Sequence, residues 1–234
     1  MKKQKDKTKL GGLFYPATDN FGNPIPFDTL YIPHIYKEIY FEKVYDFLNH
    51  KKDLVIVDVG ANIGIVTQYM RVYAKKIYSV EPSPEHFTAL AKNKEFNNWD
   101  NVELFNYALA DKDGEMEFVM NENNRTSSGL VLDRTRERLE RNGWNKRIIV
   151  KTKTFASFMK ENNINQIDFC KLDVEGADDL ILRSEGFASI VSKIKTIEVE
   201  FHFPNWQELV KYMIGLGFTA RKFDSSAIIV LFTR

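Results

Sequence analysis

The chain is nearly devoid of cysteine: Cys170 is the only one in 234 residues. An internal disulfide is excluded, and a reducing compartment, the cytoplasm, is the expected setting. No apolar run approaches the ~20 residues of a membrane-spanning helix. The opening residues, MKKQKDKTK, carry lysines but no apolar segment after them, so a secretory leader is not expected. A dominant charge is also missing. Lys and Arg number 33 against 32 Asp and Glu, a net charge of +1, so nothing draws the whole chain toward nucleic acid or lipid. Four of only seven prolines fall within residues 10–33, which leaves the rest almost free of helix breakers. No internal repeat and no linker stands out.

What remains is a hydrophobic content of 44%, enough for a core, in a length that suits one large α/β domain. The expected organisation is a tail and irregular arm over residues 1–33, then one domain over 34–234 with a lid-like insertion at 121–147. Residues 34–49 space Ile35, Ile39, Val44 and Phe47 at near-helical intervals and predict a helix. His34 has no evident partner and is given no role.

The organising stretch is DLVIVDVGANIGIVT, residues 53–67. Its apolar, β-branched run from Leu54 to Val59 fits a strand buried on both faces of a parallel sheet. Gly60 permits a tight turn, and Gly64 lets backbone or ligand come close. The helix expected next aims free N–H groups at the turn, which suits an anion. Asp58, at the strand's end, is expected to face the same crevice. Seventeen residues past Gly64 a second apolar run ends in Glu81, before Pro82-Ser83-Pro84. An acid at that strand tip is where a ribose places its hydroxyls. The dinucleotide fingerprint needs glycine at 62 and 65, where this chain has Asn62 and Ile65. That argues against NAD or FAD and for S-adenosylmethionine, an amino acid and a ribose without pyrophosphate.

Pro84 is placed to open a helix ending near Asn97 and Asn98, with Phe87, Leu90 and Ala91 inward. VELFN, residues 102–106, predicts a third strand. Residues 108–120 predict a small hairpin turning at Asp113-Gly114. Strand, helix, strand, helix, strand is one half of a doubly wound, mostly parallel sheet. Residues 121–129 read as loop. Residues 132–147 hold six basic side chains against three acids. This suits a lid attracting an anionic acceptor, or a solvated helix with i,i+4 ion pairs. A strand at 148–151 and a helix at 155–162, Phe155 and Phe158 inward, follow. Ile167 to Leu172 reads as a central strand, with Cys170 as a small buried hydrophobe and Asp173 at its end. The turn Val174-Glu175-Gly176 leads to a helix with Asp178 or Asp179 in its first turn. Ile194 to Phe201 is a strand leading to His202. A helix at 206–216 capped by Gly217 precedes two closing antiparallel strands near 219–223 and 227–232.

Methyl transfer from a sulfonium needs the acceptor atom aligned in a dry site and, where that atom carries a proton, a base to take it. Asp173 and His202, at neighbouring strand tips, are the candidates; free histidine titrates near neutrality. Lys171 shares a face with Asp173, and pairing with Glu198 or Glu200 is the alternative to chemistry. Asp173, Glu175, Glu200 and His202 are also residue types that gather a divalent metal, though nothing in their spacing demands one and none is expected. A nicotinamide oxidoreductase and a non-catalytic module of the same fold are the competing classes. Nucleic-acid methylation lacks both a broad basic surface and a target-base motif.

The chain resembles the FkbM-type family of S-adenosylmethionine-dependent methyltransferases. The matching pieces are DVGANIG from Asp58 to Gly64, EPSP from Glu81 to Pro84, ALA-D-x-x-G from Ala108 to Gly114, SSG from Ser127 to Gly129, IDFCKLDVEG from Ile167 to Gly176, and Glu200-Phe201-His202. They run from about residue 36 to the end. Where the family usually has glutamate, this chain has Asp178. The resemblance implies a class I, Rossmann-like sheet of about seven strands, the last antiparallel, and an O-methyltransferase acting on a sugar or natural-product hydroxyl. By the same resemblance Asp58, Gly60, Ala61, Asn62 and Gly64 would hold the methionine end of the cofactor. Glu81, with Pro82 beside it, would take the ribose hydroxyls. Asn106 to Ala108 would lie near adenine, and Asp173 beside the sulfonium. Asp173, His202, Lys171 and Glu175 form the expected catalytic set.

Overall fold

The structure is a computed structural model that describes residues 8–10, 13–15, 39, 42–120, 128–132, 146–225 and 227–234. Two short strands, β1 (Thr8–Leu10) and β2 (Leu13–Tyr15), pair antiparallel in the arm. The rest of the arm, residues 34–38 of the expected first helix and residues 133–145 of the basic insertion lie outside the described residues.

The main sheet begins with β3 (Leu54–Val59), β4 (Ala74–Val80) and β5 (Val102–Phe105). After a gap come β10 (Phe169–Leu172), β11 (Thr196–Phe201), β12 (Thr219–Lys222) and β13 (Ile228–Thr233). Their spatial order is β12-β13-β11-β10-β3-β4-β5. The chain starts at β3, runs out to β5, then returns to β10 on the other side. That reversal opens a crevice at the carboxyl ends of β3 and β10, where open α/β sheets bind ligands. β13 runs antiparallel between β11 and β12, as expected.

The helices form where sequence chemistry starts them. α1 (Ile65–Met70) follows Gly64, and its six residues are all buried. α2 (Pro84–Phe96) has proline at its first position and Ser83 as N-cap, whose hydroxyl accepts from the His86 N–H. α3 (Phe155–Glu161) is capped by Thr154, and Phe155 and Phe158 are fully buried. α4 (Asp178–Leu182) and α5 (Glu185–Ala188) are short, and α6 (Trp206–Gly215) ends in the left-handed Gly217.

Three expectations need correction. Residues 42–49 are turns and one 3-10 turn, Asp46–Leu48, rather than a continuing helix; Lys43 takes a positive φ of 56° that a helix cannot hold. The stretch still buries Val44, Tyr45 and Leu48 against the sheet. The hairpin over 108–120 does not form. β6 (Ala108–Leu109) and β7 (Gly114–Met120) both pair with β9 (Lys146–Lys153), and β7 also pairs with β8 (Ser128–Leu130). The Asp113 carboxylate accepts from the Thr154 N–H and so holds the turn against β9. The margins of the expected insertion are therefore strands of a second, four-stranded sheet, β6-β9-β7-β8.

Across the centre of the main sheet, Glu198, Lys171, Asp58 and Ser79 stand in one register row on β11, β10, β3 and β4. Alternation puts this polar row on the same face as Ile56, Ile77 and Phe169. Tyr45 covers one end, its hydroxyl donating to Glu198 at 3.4 Å. Thr67 covers the other, donating to Asp58 at 2.6 Å and lying 3.0 Å from Ser79 Oγ. Buried polar groups are held this way because each needs a partner once water is gone.

Candidate functional site

A cleft of about 570 Å³ opens at the strand tips. Of the expected residues, Gly60, Asn62, Glu81, Pro82, Ala108, Asp173 and Glu175 line it. Both strand tips therefore open onto one cavity. Val80, Leu109, Phe118 and Leu130 form an apolar wall that the sequence did not single out. Phe118 and Leu130 come from the second sheet, whose pairing no local motif announces.

The turn after β3 is shaped by three left-handed residues: Gly60 (φ 78°), Asn62 (φ 52°) and Gly64 (φ 94°). Asparagine tolerates that conformation better than most residues. A Cβ on Gly60 would stand 1.8 Å from the Asp173 carbonyl oxygen, so this glycine lets the turn meet β10. A Cβ on Gly64 would meet Leu90 at 2.6 Å and Trp99 at 3.0 Å. Gly64 therefore makes room for the protein's own side chains, not for a ligand.

The backbone N–H groups of the turn itself, Gly60 to Gly64, all have acceptors within the protein. Gly60 and Ala61 donate to the Val80 carbonyl, Asn62 to Glu81 Oε2, Ile63 to Asn62 Oδ1 and Gly64 to the Ala61 carbonyl. The main chain of the turn is therefore internally satisfied. The expectation for Asp58 is corrected. It is fully buried behind the cleft, bonded to Thr67, with its Oδ1 3.9 Å from Lys171 Nζ. Burial pushes its carboxyl above the ordinary range against the pull of Lys171 and Thr67. Ala61 is buried, and Asn106 is exposed, donating to the Glu81 and Pro82 carbonyls; neither lines the cleft.

Glu81 is held from two sides. Oε2 accepts from the Asn62 N–H at 2.9 Å and Oε1 from the Ser83 N–H at 2.8 Å. His86, on the first turn of α2, also lines the cleft, with Nδ1 3.8 Å from Glu81 Oε1. The sequence reading missed it; its position two residues after a Ser-Pro helix start was the available signal.

At the other end, His202 Nε2 lies 3.3 Å from Glu200, 3.7 Å from Glu175 and 3.9 Å from Asp173. Burial alone would lower its pKa, but the Glu200 hydrogen bond and the three carboxylates outweigh it and push it up to about 10. It is an imidazolium at neutral pH, not the near-neutral base expected. The donor atoms of Asp173, Glu200 and His202 lie within 4.8 Å of one another, a spacing that suits a divalent ion or, as the charges stand, the imidazolium itself. Lys171 does not reach the cleft. It pairs with Asp173 at 3.1 Å rather than with Glu198 or Glu200, and these acids hold it protonated well beyond neutrality despite burial. Asp178, fully buried, opens α4 outside the cleft wall. No helix among the described residues is long and apolar enough to cross a membrane.

Comparison with known proteins agrees with this geometry. The methyltransferase FkbM domain matches residues 58–221. "Methyltransferase 1" of Beauveria bassiana is 30% identical over 182 residues, covering 71% of this chain and 72% of that protein. "Methyltransferase sdnD" of Sordaria araneosa is 30% identical over 173 residues, covering 64% and 67%. In fold, the chain is similar to an S-adenosylmethionine-dependent methyltransferase from Aquifex aeolicus, with a TM-score of 0.50, 11% identity and coverage of 86% and 93%. It is similar also to the METTL16 methyltransferase domain, with a TM-score of 0.51, 13% identity and coverage of 90% and 73%. With a class I methyltransferase sheet and a domain match that runs from the turn through both acidic strand tips into β12, the chain belongs to the FkbM methyltransferase family.

Proposed function

We propose that this protein is an S-adenosylmethionine-dependent O-methyltransferase acting on a hydroxyl of a sugar or natural-product small molecule. The observation that carries this is the Glu81 carboxylate, braced by two backbone N–H groups and facing the same cleft as Asp173 and Glu175. Its remaining lone pairs suit a pair of ribose hydroxyls. Ala108, Leu109, Phe118 and Leu130 suit a flat heterocycle beside it. Gly60 and Asn62, with Asp173 across from them, suit the amino acid end.

The cofactor, when bound, supplies a methyl group already activated on a sulfonium. The chain's own task is to aim an acceptor oxygen at it and exclude water. Asp173 would serve as the base, its carboxylate accepting the proton of the acceptor hydroxyl. His202 stays charged and fixes Asp173, Glu175 and Glu200 around the acceptor side. Three carboxylates there oppose an anionic acceptor and favour a neutral or cationic one. The basic stretch that argued otherwise lies largely outside the described residues.

The test is calorimetric binding of S-adenosylhomocysteine, followed by radiolabelled methyl transfer from S-adenosylmethionine to a panel of polyols, glycosides and phenols. Binding lost in Glu81→Ala and turnover lost in Asp173→Asn are the expected results. A wild-type protein with no affinity for either compound would end this reading.

A further inference from the structure

Lys171 lies behind the cleft, yet it contacts residues that line both halves of it. Its Nζ is 3.1 Å from Asp173 Oδ2, 3.4 Å from the Gly60 carbonyl oxygen and 3.9 Å from Asp58 Oδ1. The side chain is 4% exposed and forms no part of the cleft wall. Its other acidic neighbour in the row, Glu198, receives the Tyr45 hydroxyl. An ammonium has three hydrogens to give. Here the two shorter contacts go to the glycine turn and to the acid at the next strand tip.

We infer that Lys171 is a positioning residue that ties the Gly60 turn to the Asp173 carboxylate, so that the turn under the cofactor and the acid beside the acceptor move as one piece. This rests on the cofactor reading above.

Three observations support the tie. Asp173 lies one residue beyond the end of β10, so the ladder alone does not fix its side chain. With Oδ2 on Lys171, Oδ1 is the oxygen turned toward His202. The main chain makes the same join. The Asp173 N–H donates to the Val59 carbonyl at 3.1 Å, and its own carbonyl lies where a Cβ on Gly60 would stand. The side-chain tie and the main-chain contact thus span one joint, and a shift of the turn on ligand binding reaches Asp173 through both. A lysine serving only to neutralise buried acids would need no contact with a backbone carbonyl.

The experiment measures S-adenosylhomocysteine affinity by calorimetry and the Asp173 side-chain 13Cγ resonance at one pH, assigned through Asp173→Asn. The variants are Lys171→Met, which keeps the apolar stem, and Asp58→Asn/Lys171→Met, which also removes the buried charge that could unfold the single variant. Lys195→Met is the control. It breaks a 2.6 Å ion pair with Asp168, near the opposite end of β10. Expected are a loss of about tenfold or more in affinity for the Lys171 variants, in the usual range of coupled sites, and a displaced Asp173 resonance. The control should keep both. Folded Lys171 variants that bind within about twofold of wild type and leave the Asp173 resonance in place would overturn the inference. If the wild type itself binds no S-adenosylhomocysteine, the cofactor reading fails, and the resonance in the ligand-free protein alone decides whether Lys171 holds Asp173.

Discussion

The Asn62 N–H donates to Glu81 Oε2 at 2.9 Å, joining the turn after β3 to the tip of β4. One carboxylate therefore serves two ends: it finishes the glycine turn and faces the cleft. Replacing Glu81 with alanine should cost both. Hydrogen bonds to charged groups are worth about 1.5–3 kcal/mol each. Calorimetry should show S-adenosylhomocysteine binding weakened roughly ten- to hundredfold, with a lower melting temperature. Glu81→Gln keeps one acceptor oxygen and should fall between.

Asp58 separates two readings of the motif it opens. Facing the cleft, it would govern cofactor affinity. Buried against Thr67 and Lys171, it governs the fold. Asp58→Asn should therefore lose about 1–3 kcal/mol of stability while binding S-adenosylhomocysteine nearly as well as wild type. Denaturant melts and calorimetry on one preparation decide it.

His202 makes stability depend on pH in a definite direction. Its folded pKa, about 10, lies above its unfolded value near 6.5. A raised pKa contributes stability that is fully present below about 6.5 and is lost as pH rises through about 10. His202→Gln should therefore destabilise most at pH 6, on the order of 3 kcal/mol after allowance for solvent at this partly open site. By pH 10.5 the gap to wild type should nearly close. Urea melts across that window, in chelator, measure it.

Two glycines should respond with opposite sign. Gly60→Ala sets a Cβ 1.8 Å from the Asp173 carbonyl oxygen at a φ of 78°. Left-handed strain of about 1–2 kcal/mol adds to overpacking of about 1–3 kcal/mol. A drop in melting temperature near 10 °C or a failure to fold is expected, at ~2–4 °C per kcal/mol for a chain of this size. Gly215, the last residue of α6, has open space around it and no positive φ. Gly215→Ala should gain up to about 0.5–1 kcal/mol.

Much of the fold was legible because its signals are local. The run Leu54 to Val59, the Ser83-Pro84 helix start and Gly217 each declare an element within a few residues. Glu81 and Asp173 were legible as acids ending apolar runs. What sequence could not show was pairing at a distance. β9 takes up the strand expected to close a hairpin, because Asp113 bonds to Thr154 across 41 positions. The strand-end rule also placed Asp58 toward the crevice. Its true facing follows from a cross-strand row with Lys171 and Glu198, each more than 110 positions away. His202 was a matter of environment: three acids, two of them beyond the tip of the neighbouring strand β10, set a charge that composition alone leaves neutral.

Because every backbone amide from Gly60 to Gly64 already has an acceptor within the protein, the main chain of the loop has only oxygen to offer a guest. An anion would find no hydrogen to share on the main chain there, whereas an ammonium would bring its own. The bonding of five consecutive peptide groups thus leaves the main chain of this loop as an acceptor surface at the edge of the cleft.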